Sequence, residues 1–198
     1  MDEEDWIGHW EAFYSSVVVE NADMRIRQTP TVDHLNRLEA VLGIRLPLSY
    51  RAFVRAIGPG RIQGSFTVRA PGYRGATVVD FLAANKWQEE EAEERSSPEQ
   101  VRRLVAFGDI LDQYFVWDTG GGQQDGSEFP IMWVPKRYED SLIEVTSSFQ
   151  SFVEDCCIGG SFWPLIGASD ASSWEDWDGN LRSDPCFEPI GDRPTSSI

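Results

Sequence analysis

The side chains best placed to do chemistry are a few aspartates and one glycine run. Asp118-Thr119-Gly120 closes the apolar stretch Tyr114–Trp117. An aspartate at such a strand end can hydrolyse peptides only beside a second one, because adjacent carboxyls share a single proton. The chain carries one copy, and the segment PLIGAS near Leu165 only loosely echoes a supporting element, so proteolysis would need a homodimer. The glycines at 120–122 lack the Gly-Lys-Ser/Thr of a phosphate loop and open no helix, which leaves a hairpin loop. His9 and His34 have neither a nucleophile nor a ligand series beside them, so packing or surface roles are expected. Asp109 and Asp112 have the spacing to hold a cation, yet acids near glycine are ordinarily turn formers. Cys156, Cys157 and Cys186 make neither a disulfide framework nor a Cys-x-x-Cys site; they suit small buried thiols in a reducing cytosol. There is no zinc, haem or dinucleotide fingerprint, and no cofactor is expected.

Periodicity predicts the elements that position these residues. WIGHWEAFYSSVVV reads as a peripheral helix in an N-terminal lead-in, residues 1–30. Thr31 or Asp33 can cap a helix whose Leu35, Leu38, Val41 and Leu42 share one side, and Gly43 suits its left-handed end. A second helix starts near Pro47, whose missing N–H is harmless in a first turn. Tyr50, Phe53, Val54 and Ile57 form its apolar stripe, Arg51 and Arg55 share another face, and Gly58-Pro59-Gly60 stops it. The period then becomes two: Ile62, Phe66 and Val68 oppose Gln63, Ser65, Thr67 and Arg69, as in a half-buried strand. VVDFLAANKWQEEEAEERSS predicts a helix with a solvated acidic end. The short strands RLVAFGD, QYFVWDT, PIMWVPK and SLIEV follow, joined by turns. SFQSFVEDCC, a helix with Ser147 and Ser148 available as cap, closes a core domain spanning residues 31–158. This order predicts an α+β domain with a largely antiparallel sheet flanked by helices. Residues 159–198 are rich in Gly, Ser, Pro and Asp but carry Phe162, Trp163, Trp174, Trp177 and Phe187. Such an extension is too polar for its own core and has rings to anchor on the domain or on a partner.

The 198 residues, 41% of them apolar, suffice for one domain with a full core. No apolar run approaches a membrane span, and the start MDEEDWIGHW is acidic rather than a basic leader, so a cytoplasmic protein is expected. The net charge of −16 is unevenly placed. Met24 to Arg74 holds nine arginines against two acids, whereas Asn85 to the end holds 23 acids against eight bases. Such a chain is repelled by nucleic acid and by anionic membranes, so neither is expected as a partner, and a basic protein is drawn to it. The arginines are interleaved with core leucines, which suits ion pairing with the acidic half.

The segment LNRLEAVLGIRLPLSYRAFVRAIGPGRI resembles the N-terminal signature of the SUKH superfamily. The matching residues are Leu38-Glu39, the step Leu46-Pro47-Leu48-Ser49-Tyr50, Phe53 in an aromatic-centred helix, and the terminal Gly58. The later run is similar too: strand, turn, strand ending in Asp, strand, then a Ser-Phe-x-x-Phe helix in which Ser148, Phe149 and Phe152 take that role. The likeness runs over roughly residues 31–158. It departs at Ile57–Gly60, where the family often turns through Asn-Gly, and in the Glu-rich insert and Trp-rich extension.

The resemblance implies a domain without catalytic residues that acts by binding. Bacterial members look like immunity proteins of polymorphic toxin systems, and the superfamily takes its name from a fungal regulator of cell-wall synthesis. The implied role is to neutralise a cognate toxin domain, a basic protein such as a nuclease, as a monomer or weak homodimer. The expected contacts are Asp109, Asp112, Asp118, Asp125 and Glu128 with Tyr114, Trp117 and Trp133; core packing is the competing reading for the two tryptophans. Two other functions stay open: a regulatory or scaffold protein of the same fold with no toxin partner, and a homodimeric aspartic protease using Asp118.

Overall fold

Helix α2 (Val32–Leu42) starts where the sequence supplies a cap. Thr31 Oγ1 accepts the His34 amide at 3.3 Å, and the His34 ring accepts the Thr31 amide in return. The helix ends at Gly43, whose φ of +69° is the left-handed conformation glycine adopts without strain. Leu35 and Leu38 are fully buried, but Val41 is 54% exposed, contrary to the expected stripe. Helical rotation carries Val41 off that face and brings Glu39 close to its centre. Helix α3 (Leu48–Ala56) follows the Leu-Pro step and buries Tyr50, Phe53 and Val54 completely.

The computed structural model describes residues 1–19, 29–71, 86, 98–110, 113–121, 127–135, 142–166 and 185–190. The remaining described elements are helix α1 (Glu3–Ser16), the short helix α4 (Pro98–Arg102), and strands β1 (Val18–Val19), β2 (Gly60–Ile62), β3 (Phe66–Val68), β4 (Leu104–Ile110), β5 (Gln113–Asp118), β6 (Ile131–Val134), β7 (Ile143–Thr146) and β8 (Cys186–Pro189). After β7 come the helical turn α5 (Phe149–Ser151), the π-helical segment Phe152–Ile158 and helix α6 (Phe162–Leu165). Most of the expected helix VVDFLAANKWQEEEAEERSS lies outside the described residues, as do Trp174 and Trp177.

The strands form one sheet in the order β1-β8-β2-β3-β4-β5-β6-β7. Every neighbouring pair is antiparallel except β1 and β8, so the chain is an α+β protein with a largely antiparallel sheet. What reads in sequence as one strand over 61–69 is a hairpin. Three residues, Gln63–Ser65, separate the paired Ile62 and Phe66; Gln63 (φ +53°) and Gly64 (φ +69°) take left-handed backbone there, and the Ser65 amide donates to the Ile62 carbonyl at 3.2 Å. Ile62, Phe66 and Val68 still share a face because their spacing is even. β8 sits in the polar C-terminal extension and pairs with both β1 and β2.

One sheet face packs on α1, α3 and the 149–158 helical stretch around a dense aromatic core. Trp117 stacks on Phe107 at 4.6 Å and meets Tyr50 edge-on at 4.8 Å, and Phe149 meets Tyr50, Phe53 and Phe107. The first helix, expected to be peripheral, sends Trp10 into this core with no exposed surface. The extension contributes Phe162, Trp163 and Phe187, all buried. A bulge at Ala106/Gly108 shifts the phase of β4 after the inward-facing Phe107, so that Asp109 faces out and Ile110 in. Gly108 is required there, since a Cβ would lie 2.4 Å from the Thr67 carbonyl oxygen. The opposite face carries a smaller buried cluster of Leu104, Ala106, Val116 and Val134. Among the described residues no helix is long and apolar enough to cross a membrane.

Candidate partner-binding surface

The signature residues around the Leu-Pro step build the fold. Glu39 is 6% exposed; its Oε1 accepts the Leu46 amide and Arg51 Nη1, each at 2.9 Å, and its Oε2 accepts Arg45 Nη1 at 3.1 Å. One carboxylate thereby pins the α2–α3 connection. Arg51, placed by its spacing on a face other than the apolar stripe, is buried because Glu3 approaches it from α1 at 3.4 Å while Glu39 holds its other side. Arg55 meets the same Glu3 at 2.8 Å. Tyr50 donates its hydroxyl to the Arg69 carbonyl at 2.7 Å, and burial pushes its phenol well above the ordinary range.

The acids expected to meet a partner have internal work in the structure. Asp109 in β4 accepts Arg69 through Nη2 at 2.7 Å and Nε at 2.9 Å. The Arg69 guanidinium also lies 5.9 Å from the ring centroid of Tyr114, a cation–π contact across the strands. Asp118 accepts Arg103 Nε at 2.8 Å and the Gly120 amide at 2.9 Å. Its oxygens are therefore occupied by an arginine and a backbone turn, not turned to a second carboxyl. Glu128 accepts the Ser49 amide and hydroxyl and the Phe149 amide. Trp117 is wholly buried and Trp133 is 9% exposed, so both belong to the core rather than to a face a partner reaches. Asp112 and Asp125 lie outside the described residues.

Asp109 and Tyr114 do share a surface. Strand register aligns Glu188, Arg61, Thr67, Asp109 and Tyr114 in one row across β8, β2, β3, β4 and β5, on the face away from the aromatic core. Arg61 in this row is exposed. Sequence reasoning missed Arg61, Thr67 and Glu188. The three-residue connection Gln63–Ser65, had it been recognised, would have set Arg61 opposite Thr67. Asp118 lies on the same face but at the far end of β5, paired with Leu104.

Covalent chemistry finds little footing among the described residues. Burial pushes the Cys157 thiol well up and raises that of Cys156, which disfavours the nucleophilic thiolate. His9 meets Glu154 at 2.7 Å, joining α1 to the π-helical segment, and His34 completes a helix cap. No three His, Cys, Asp or Glu side chains of the described residues converge as a metal site requires.

No curated protein matches the chain. A family model does, over residues 29–155, the stretch from the α2 cap to the π-helical segment. That match takes in the Glu39 clamp, the Leu-Pro step, Tyr50, strands β2 to β7 and the Ser-Phe-x-x-Phe helix, and the chain belongs to the SMI1/KNR4 family (SUKH-1).

Proposed function

We propose that the chain is a non-catalytic immunity protein that neutralises a cognate toxin domain in the cytoplasm by direct binding. The family includes toxin immunity proteins. The observation that carries the reading is the disposition of charge. Arg45, Arg51, Arg55, Arg69 and Arg103 are all spent on carboxylates of the same chain. Glu11, Asp33, Glu99, Glu144 and Asp155 remain exposed. Arg37, Arg61, Lys86 and Arg102 are exposed as well, but exposed acids outnumber exposed bases among the described residues, so the described exterior stays acidic. A basic partner such as a nuclease, whose site must hold phosphate, is steered onto such a surface. The row Arg61, Thr67, Asp109 and Tyr114 offers a flat polar face with an aromatic ring for closer contact. The working form is a monomer or weak homodimer. Coexpression with the protein encoded beside it tests the reading: a stable complex that abolishes that protein's toxicity is expected. A neighbour that is not toxic, or not bound, would contradict it.

A further inference from the structure

Donors from two separate helical stretches converge on one carboxylate. Ser49 N and Oγ lie 3.4 and 2.5 Å from Glu128 Oε1, and Phe149 N lies 2.8 Å from Glu128 Oε2. The backbone that carries these donors is also held by contacts that do not involve Glu128. Ser49 has no exposed surface, and its carbonyl is engaged by the Trp10 indole N–H at 2.8 Å. Phe149 is equally buried, and the neighbouring Ser148 hydroxyl is committed to the Ser151 amide at 3.2 Å. Helix α3 has no side-chain cap of its own at Pro47. The hole is thus lined by neutral donors, two of them amides at helix starts whose partial positive charge favours an anion. The contacts named for Glu128 include no lysine or arginine.

We propose that this junction is a carboxylate-binding cradle, closed in the native chain by Glu128, which latches Ser127–Pro130 to α3 and to the 149–158 helical stretch. The cradle belongs to the fold, so it stands whether or not the chain neutralises a toxin. Its ligand class is a small carboxylate presented on a side chain, and a free one should substitute. The test is the melting temperature of full-length Glu128→Ala in rising formate or acetate, against chloride at equal ionic strength, with wild type alongside. The variant is expected to melt roughly 4–8 °C below wild type, from the loss of charge-assisted bonds to buried donors. Formate and acetate should recover part of that loss, chloride none, and wild type should be indifferent. A variant as stable as wild type, or one whose loss no carboxylate recovers, would overturn the proposal. If the alanine variant does not fold, Glu128→Gln supplies the reading, because it keeps the shape but loses the charge. The Ser49 and Phe149 amide protons should then both move upfield together. If both keep their wild-type shifts, the cradle is refuted.

Discussion

Truncating Glu39 to alanine should be among the most damaging single changes in the signature region. The carboxylate is 6% exposed and makes three bonds: to the Leu46 amide, to Arg51 and to Arg45. These do not weigh equally. Arg45 is 65% exposed, so its pair with Glu39 is worth about 0–1 kcal/mol. Arg51 is 9% exposed and would keep only Glu3 at 3.4 Å and Asn36 at 3.5 Å. Removing one member of a buried pair costs roughly 3–5 kcal/mol, and the remaining Glu3 contact places this site at the lower end. The Leu46 amide would also lose its acceptor, a penalty that overlaps the first. A net loss of about 3 kcal/mol follows, or a fall in Tm of roughly 6–12 °C for a chain of this size. Urea unfolding followed by tryptophan fluorescence reads it directly. Glu39→Gln retains an acceptor for Leu46 and should lose about half as much. Adding Arg51→Met to Glu39→Met should recover stability, since the stranded charge is then gone. An alanine variant within 1 kcal/mol of wild type would refute the reasoning, as would a double variant no better than the single one.

Two further outcomes follow from the core. Trp10→Ala should destabilise by about 3–5 kcal/mol and Trp10→Phe by about 2 kcal/mol, since the second keeps one aromatic ring but loses the rest of the indole and its bond to Ser49; chemical denaturation separates the two. Stability should also fall in alkali. Tyr50, Cys156 and Cys157 have folded-state values raised by burial, so the unfolded chain gives up its protons first. Their contribution is whole below the unfolded-state values, near 8.5 for cysteine and 10 for tyrosine, and drains away as pH rises past them. Urea midpoints from pH 7 to 10.5 should decline; a flat profile would contradict the burial of these groups.

What was legible in the sequence was whatever local chemistry decides. The Thr31 cap, Gly43, the stripe of α3, the Ser148 cap and the short strands β4 to β6 each follow from propensity or turn chemistry, and the structure has them where expected. The exceptions are tertiary. Arg51 faces in because Glu39 holds it there, and a residue's own period cannot state a partner's need. Trp10 counts as core only because α1 packs on α3, and β8 is a strand only because β1 and β2 flank it. The candidate contacts divide the same way. Choosing acids near turns found Asp109, Asp118 and Glu128, but acids near turns also serve as clamps, which only the positions of Arg69, Arg103 and Ser49 reveal. The polar row on the outer face depends on register across five strands, information spread over residues 61 to 188.

Charge-steered binding of a basic toxin domain is the mode proposed for this fold. Its most direct test is the association rate constant with the cognate toxin domain, measured by stopped-flow as salt is raised from low to physiological ionic strength and beyond. A fast rate that falls steeply with added salt while the dissociation rate changes little is expected. An association rate indifferent to salt would contradict it.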